Sequence, residues 1–275
     1  MNIYVKIIED SLYKGSRLTT FEICLPKVIL AEFNTHRVFS RNFSSSRAIP
    51  VKKLTQQDSF KPLYWGKNQA GMQASTEEIE NISEAEKIWQ DAIDYCKNAS
   101  EKLADLGLHK QWSNRLNDWH TMTKGIVTSS YWDNFFELRS HPDAQPEIKM
   151  LSDMMLNKYN SSTQKILQYG DYHLPYTLPE ERETLNIETL AKCSAARCAR
   201  VSYLTHDNEK PSIEKDLELY TRLVGSEPIH ASPTEHQAVA GLSCNNGNFN
   251  SNWGQFRKFI ETKNESEFFK DFRTK

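Results

Sequence analysis

The chain has 275 residues, of which 25% are charged and 38% hydrophobic, and its formal net charge is -2. That length buries a core without disulfide or metal staples, and the composition excludes a disordered chain. The near-neutral charge excludes a generic polyanion binder, so no nucleic-acid partner is expected, but it leaves room for a local phosphate site.

Mean hydropathy is -0.66, and no run approaches the ~18 apolar residues of a membrane helix. No membrane partner is therefore expected. The opening stretch MNIYVKIIEDSLYKG carries Lys6, Glu9 and Asp10, which argues against a secretory signal. Cys24, Cys96, Cys193, Cys198 and Cys244 are scattered and odd in number. They read as reduced thiols of a cytoplasmic protein.

Residues 1–8 alternate as a strand, with Ile3, Val5 and Ile7 on one face. Residues 19–31 read as a strand running into a short helix or turn, punctuated by Pro26. The polar run from Asn42 to Ser46 reads as a loop. Apolar residues from Ile79 to Leu106 recur at three and four, which predicts a helix over 76–106 stopped by Gly107. Further helices are predicted over 126–139, over 144–158 with Pro146 near its start, over 187–200, and over 212–224 from Ser212 to Gly225. Residues 160–180 and 243–252 read as irregular, and 235–242 as a strand. No repeat or low-complexity linker stands out, the length allows one large domain or two modest ones, and the class is α/β (α+β).

Residues 35–47, THRVFSRNFSSSR, gather His36, Arg37, Arg41, Arg47 and four serines. Guanidinium forks and loop N–H groups suit a phosphate, although a solvated basic loop has the same composition. His230, Glu235 and His236 lie in HASPTEH. Their types suit a metal, but Ser232-Pro233 equally opens a capped turn, and no metal centre is expected. Cys193 and Cys198 are five apart, a spacing that favours buried thiols. Arg139 follows an apolar helical stretch, where it either snorkels, pairs with Glu137, or points into a pocket. Trp112, Trp119, Tyr131 and Trp132 offer base-stacking surface, but helical spacing assigns most of them to the core.

These segments together resemble the flavin-dependent thymidylate synthases (the ThyX family). His36-Arg37, seven residues and Ser45 resemble that family's signature, with Thr35 in place of its first arginine. Asn134 to Arg139 with Ala144 to Ile148, Ala199 to Ser202, and His230 to His236 resemble three further family segments. The last two follow the signature instead of preceding it, which implies a circular permutation. The resemblance implies a ThyX-like mixed sheet with flanking helices in a single catalytic domain over residues 1–275. It also implies a homotetramer with shared active sites, and conversion of dUMP to dTMP. FAD, 5,10-methylenetetrahydrofolate as carbon donor and NADPH as reductant come with it. C5-hydroxymethylation of dUMP or dCMP is the alternative product, and a non-catalytic nucleotide- or RNA-binding module or a metallohydrolase are readings from other classes.

By the same resemblance, Arg139 would stabilise charge developing on the pyrimidine. Ser45, Ser46, Arg47, Glu32 and a neighbouring subunit's Arg115 would join it in binding the nucleotide. His36, Arg37, Asn42, Ser130, Ser202 and Ser232 would meet FAD. Thr35, Glu32, Thr128 and Ser130 depart from the family pattern, and Gln255 and Arg257 are candidate replacements for the lost contacts.

Overall fold

The computed structural model describes residues 3–203, 212–243 and 247–270, with side chains omitted for Ser202 and Tyr203. Strand β1 (Tyr4–Tyr13) turns back into β2 (Ser16–Pro26), pairing Tyr4 with Cys24 and Tyr13 with Ser16. After Pro26, a 3-10 turn and the short helix α1 (Leu30–Phe33) lead to β3 (Ser40–Phe43). Helices α2 (Val51–Thr55), α3 (Ile82–Asp105) and α4 (Lys110–Ser113) precede β4 (Met122–Ser129). Then come α5 (Asp133–Arg139), α6 (Pro146–Ser161), β5 (Lys165–Ile166), β6 (Tyr172–His173) and α7 (Pro179–Thr184). The described chain closes with α8 (Ile187–Tyr203), α9 (Ile213–Val224), β7 (Ala238–Ala240), β8 (Trp253–Gln255), α10 (Phe256–Glu261) and α11 (Glu265–Phe268).

The described strands form a mixed sheet ordered β3-β4-β2-β1-β5 and a smaller sheet ordered β6-β7-β8. Side chains alternate across the large sheet. Phe21, Ile23, Leu25 and Val127 face α1, α5 and α6 in one core. On the opposite side, Ile126 packs on Cys198 and Val201 of α8. The small sheet, α8, α9, α10 and α11 share a second core that includes Leu190, Ala195, Val239 and Phe256. Arg197 binds this half together. It donates to both Glu181 carboxylate oxygens at 2.6 and 2.7 Å, and to Asp216 at 2.7 Å.

Several sequence expectations change here, and the stretch 160–180 read as irregular holds the short strands β5 and β6. The predicted helix over 126–139 is strand β4 followed by α5. Thr123, Ile126, Val127 and Thr128 stiffen the backbone against a helix, and this segment lies between two strands with both faces covered. The helix predicted from residue 76 starts at Ile82, because residues 77–79 pair with 65–67 and Asn81 caps the helix by accepting from the Glu84 amide. Gly107 does stop it, at φ +87°. The predicted loop over Asn42 to Ser46 begins inside β3, where Asn42 and Phe43 pair with β4. The aromatics also divide differently, since Trp112 and Tyr131 are exposed while Trp132 is buried.

Candidate functional site

The segment after α1 is shaped by aromatic packing and one half-buried arginine. Phe33, Phe39 and Phe135 meet at centroid distances near 5.5 Å. Arg41 donates to Asn34 Oδ1 at 2.7 Å and to the carbonyls of Phe39, Asn34 and His36. It is a strut for residues 34–39, and its guanidinium is spent on the loop. The His36 ring stacks on Phe39 and meets Phe135 edge-on.

Arg139 reaches this loop from the last turn of α5. Its Nε donates to His36 Nε2 at 3.0 Å, and its Nη2 to Thr35 Oγ1 at 3.3 Å. The Thr35 hydroxyl in turn donates to the Glu32 carbonyl at 2.6 Å. Burial first, then the neighbouring Arg139 and Arg41 cations, lower the His36 pKa to about 4. The ring is therefore neutral near pH 7 and free to accept from Arg139. No carboxylate pairs with Arg139 among the described residues, so neutral groups orient its charge without cancelling it. Thr35 contributes to that arrangement, because an arginine there would oppose Arg139 with a second cation. Arg37 is exposed nearby. Glu32 Oε2 is buried without a hydrogen-bond partner.

A second cluster lies beyond the other end of β3. Four residues of strand separate the two by ~13 Å. Asn114 Nδ2 donates to the carbonyls of Ser46 and Ile49, both at 2.8 Å. Lys27 Nζ donates to Asp118 at 2.6 Å and to Ser46 Oγ at 3.3 Å, and Arg115 to Asp118 at 2.9 Å. Burial opposes ionisation of Asp118, but hydrogen bonds from Lys27, Arg115 and Ser46 hold its carboxyl below the usual range. Ser45 is half-buried and Arg47 exposed on this loop.

The third cluster lies under β3. Gln255 Nε2 donates to Ser40 Oγ and to the Glu235 carbonyl, both at 2.9 Å. Arg257 pairs with Glu235 and Glu261. Ser130 Oγ accepts from the Asn250 amide at 2.9 Å. Asn42 is buried on β3, on the face it shares with Ser40, and Ser232 is exposed. Thr128, one of the departing positions, takes part in a buried series of hydrogen bonds. Ser11 Oγ meets His173 Nδ1 at 2.9 Å, and His173 Nε2 meets Thr20 Oγ1 at 2.8 Å. Thr20 then meets Thr128 at 2.7 Å, and Thr128 meets His236 Nδ1 at 2.9 Å. Burial lowers the His236 pKa to about 3 and, as the first cause, holds that of His173 well below its ordinary value.

The structure thus unites Arg139, His36 and Thr35, with Glu32 joined through its carbonyl. It sets Ser45, Ser46, Arg47 and Arg115 in the second cluster, and Ser130, Gln255 and Arg257 in the third. Ser202 falls outside the residues whose side chains are described, and Cys244 outside the described residues. Arg139 neither snorkels nor pairs with Glu137. The HASPTEH residues diverge, since His230 is exposed, Glu235 pairs with Arg257 and His236 with Thr128. Cys193 and Cys198 are buried thiols raised by desolvation. The Thr20 and His173 links escaped sequence reasoning, because their partners come from distant segments with no shared spacing.

Two crystal structures of a UMP/dUMP methylase, PolB from Streptomyces cacaoi, are similar to this chain, each with a TM-score of 0.47. The form bound with 5-Br dUMP is 14% identical over 57% of this chain and 90% of that one. The form bound with 5-Br UMP is 15% identical over 57% and 88%. No curated protein matches the chain. The family model described as thymidylate synthase complementing protein (Thy1) matches residues 18–162. That span holds all of the first two clusters and more than half of the 275 residues. The chain belongs to the thymidylate synthase complementing protein family.

Proposed function

We propose that this protein transfers a one-carbon unit to C5 of a deoxypyrimidine monophosphate, converting dUMP to dTMP. C5 modification of a pyrimidine nucleotide is the chemistry of the family. The observation that carries it to this chain is Arg139, a guanidinium oriented by a neutral imidazole and a hydroxyl with its charge uncancelled. Pyrimidine C5 is a weak nucleophile. A fixed cation at the ring's O2/N3 edge stabilises the negative charge that develops as C5 attacks. His36 holds the guanidinium in place without supplying a competing anion. Ser45 and Arg47 offer a hydroxyl and a guanidinium to the 5′-phosphate, joined by Arg115 from a neighbouring subunit of a homotetramer, while the buried Ser46 hydroxyl is spent on Asp118 and braces the loop.

The residues present also fit a flavin. Arg37 is an exposed cation next to the half-buried His36 ring, which suits an anionic dinucleotide carrying a flat ring. His36, Arg37 and Asn42 would hold it, with Ser130, Ser202 and Ser232 from the later segments. When bound, FAD supplies the redox chemistry, with 5,10-methylenetetrahydrofolate as carbon donor and NADPH as reductant. The late position of Ala199 to Ser202 and His230 to His236 supports a circularly permuted arrangement of one catalytic domain. The test is the mass of the product formed from dUMP, FAD, the folate donor and NADPH. A gain of one methyl group supports thymidylate formation, whereas a hydroxymethyl gain assigns the alternative product. Unchanged dUMP and a flavin-free protein sink the reading.

Glu32 favours a second reading of the base. A carboxylate oxygen only accepts hydrogen bonds, and the Glu32 Oε2 atom is buried without a donor. The exocyclic amine of dCMP would satisfy it, whereas O4 of dUMP would oppose it. Running the same assay with dCMP in competition with dUMP decides between the two bases.

A further inference from the structure

We propose that α3 pairs antiparallel with α3 of a second copy of this chain, through a stripe the fold leaves uncovered. The helix already has a buried side. Ile93 and Ser100 are buried, and Trp89, Cys96 and Leu103 are half-buried against the rest of the molecule. A second stripe faces away. Ile88, Tyr95 and Leu106 are 64%, 76% and 84% exposed, and Ala92 and Ala99 fall between them on the same face. The spacing 88, 92, 95, 99, 106 keeps one side of a helix over ~27 Å. Trp112, just past the helix, is 64% exposed as well. Two alanines at the centre allow the axes of two such helices to approach closely, with larger side chains filling either end.

The charges beside the stripe select the partner and its direction. Along one flank run Lys87, Asp91, Lys102 and Asp105, all exposed and without a partner among the described residues. In an antiparallel pair, the same flank of each helix faces the other. Centring the pair between Cys96 and Lys97 brings Asp91 opposite Lys102 of the second copy, and Lys87 within one residue of Asp105, each twice by symmetry. Ile88 then meets the Leu106 end of the partner helix, and Tyr95 the Ala99 region. A parallel pair would set this charged flank against Ala92 and Leu103, with no opposite charges to meet. The contact is isologous, so it closes as a two-fold pair. It is independent of the nucleotide reading. It also bears on the second cluster, because α3 runs through Gly107 into α4 and Asn114, whose amide holds the Ser46 loop.

Sedimentation equilibrium of the full chain at micromolar concentration tests the pairing. The wild type is expected at the mass of a dimer or a higher even assembly, and Tyr95→Glu at half that mass, with unchanged circular dichroism. Lys102→Asp should weaken association at low salt by at least tenfold, because it faces Asp91 with a second acid. Adding Asp91→Lys to Lys102→Asp should restore the wild-type mass. A monomeric wild type, or an assembly that Tyr95→Glu leaves intact, overturns the interface. Failure of the double charge swap to restore association overturns the antiparallel register.

Discussion

Arg139 and His36 are 103 positions apart, yet each sets the state of the other. Arg139 helps keep the imidazole neutral, and the neutral imidazole accepts from Arg139. Arg139→Ala is expected to lower turnover by ~10²–10³, the usual cost of removing one electrostatic stabiliser, while bound flavin is unchanged. Steady-state rates beside the flavin absorbance of the purified variant check both halves. The pH dependence follows from the same pair. As pH falls through about 4, His36 protonates, loses its acceptor and faces Arg139 as a like charge. The acidic limb of the pH–rate profile attributable to this residue should therefore lie near pH 4 rather than 6.5, and a His36→Gln variant should lack it. The residue types of this site were legible in the sequence, because a His-Arg pair followed by serines is a local pattern. Its wiring was not. Arg139 was one of three open possibilities until the fold brought α5 to the loop at 34–41.

At the scale of elements, the helices with strong punctuation were readable. Pro146, Ser212, Gly107 and Gly225 all mark real helix ends. The segment of β4 reads as helix in the sequence, because alternation is invisible when both faces of a strand are buried. Its Gly125 shows how tightly that position is filled, since an added Cβ would collide with the Phe43 ring from β3. Gly125→Ala is expected to destabilise the fold by ~1–3 kcal/mol through overpacking, read as a lower urea midpoint at constant slope. The Arg197 junction gives a larger effect. Asp216 is fully buried and shared by Arg197 and Arg200. Arg197→Met leaves carboxylates of α7 and α9 short of their cation, which costs ~3–5 kcal/mol. Chemical denaturation of that variant should show the loss, with α7, α8 and α9 exchanging amide hydrogens faster.

Across the whole molecule, buried neutral histidines make acid the weak side of its stability. His236 is lowered to about 3 and His173 well below its ordinary value, burial being the first cause in each. An unfolded histidine titrates near 6.5, so below that pH the unfolded chain binds protons that the folded one refuses. Stability is then fully present above pH 6.5 and falls as pH drops toward about 3. Urea midpoints measured between pH 7 and 4 should decline steadily, and His236→Gln should flatten the decline. The mixed α/β class was visible from the mix of helical and strand periodicities. The route by which β7, β8 and the segment around Asn250 return to the large sheet was not, because those contacts run between residues more than 200 positions apart, as from Asn250 to Ser16.

Trp132 gives this architecture an optical consequence. Its indole is fully buried, meets Phe21 edge-on, and lies 4.6 Å from Phe39, the ring on which His36 stacks. Its Nε1 has no hydrogen-bond partner, so its excited state relaxes in an apolar, rigid setting and emits at short wavelength. One aromatic ring therefore separates this fluorophore from the imidazole that orients Arg139. A ligand that seats against His36 should change its emission intensity, and Trp132→Phe should erase that change while the signals of the other tryptophans remain.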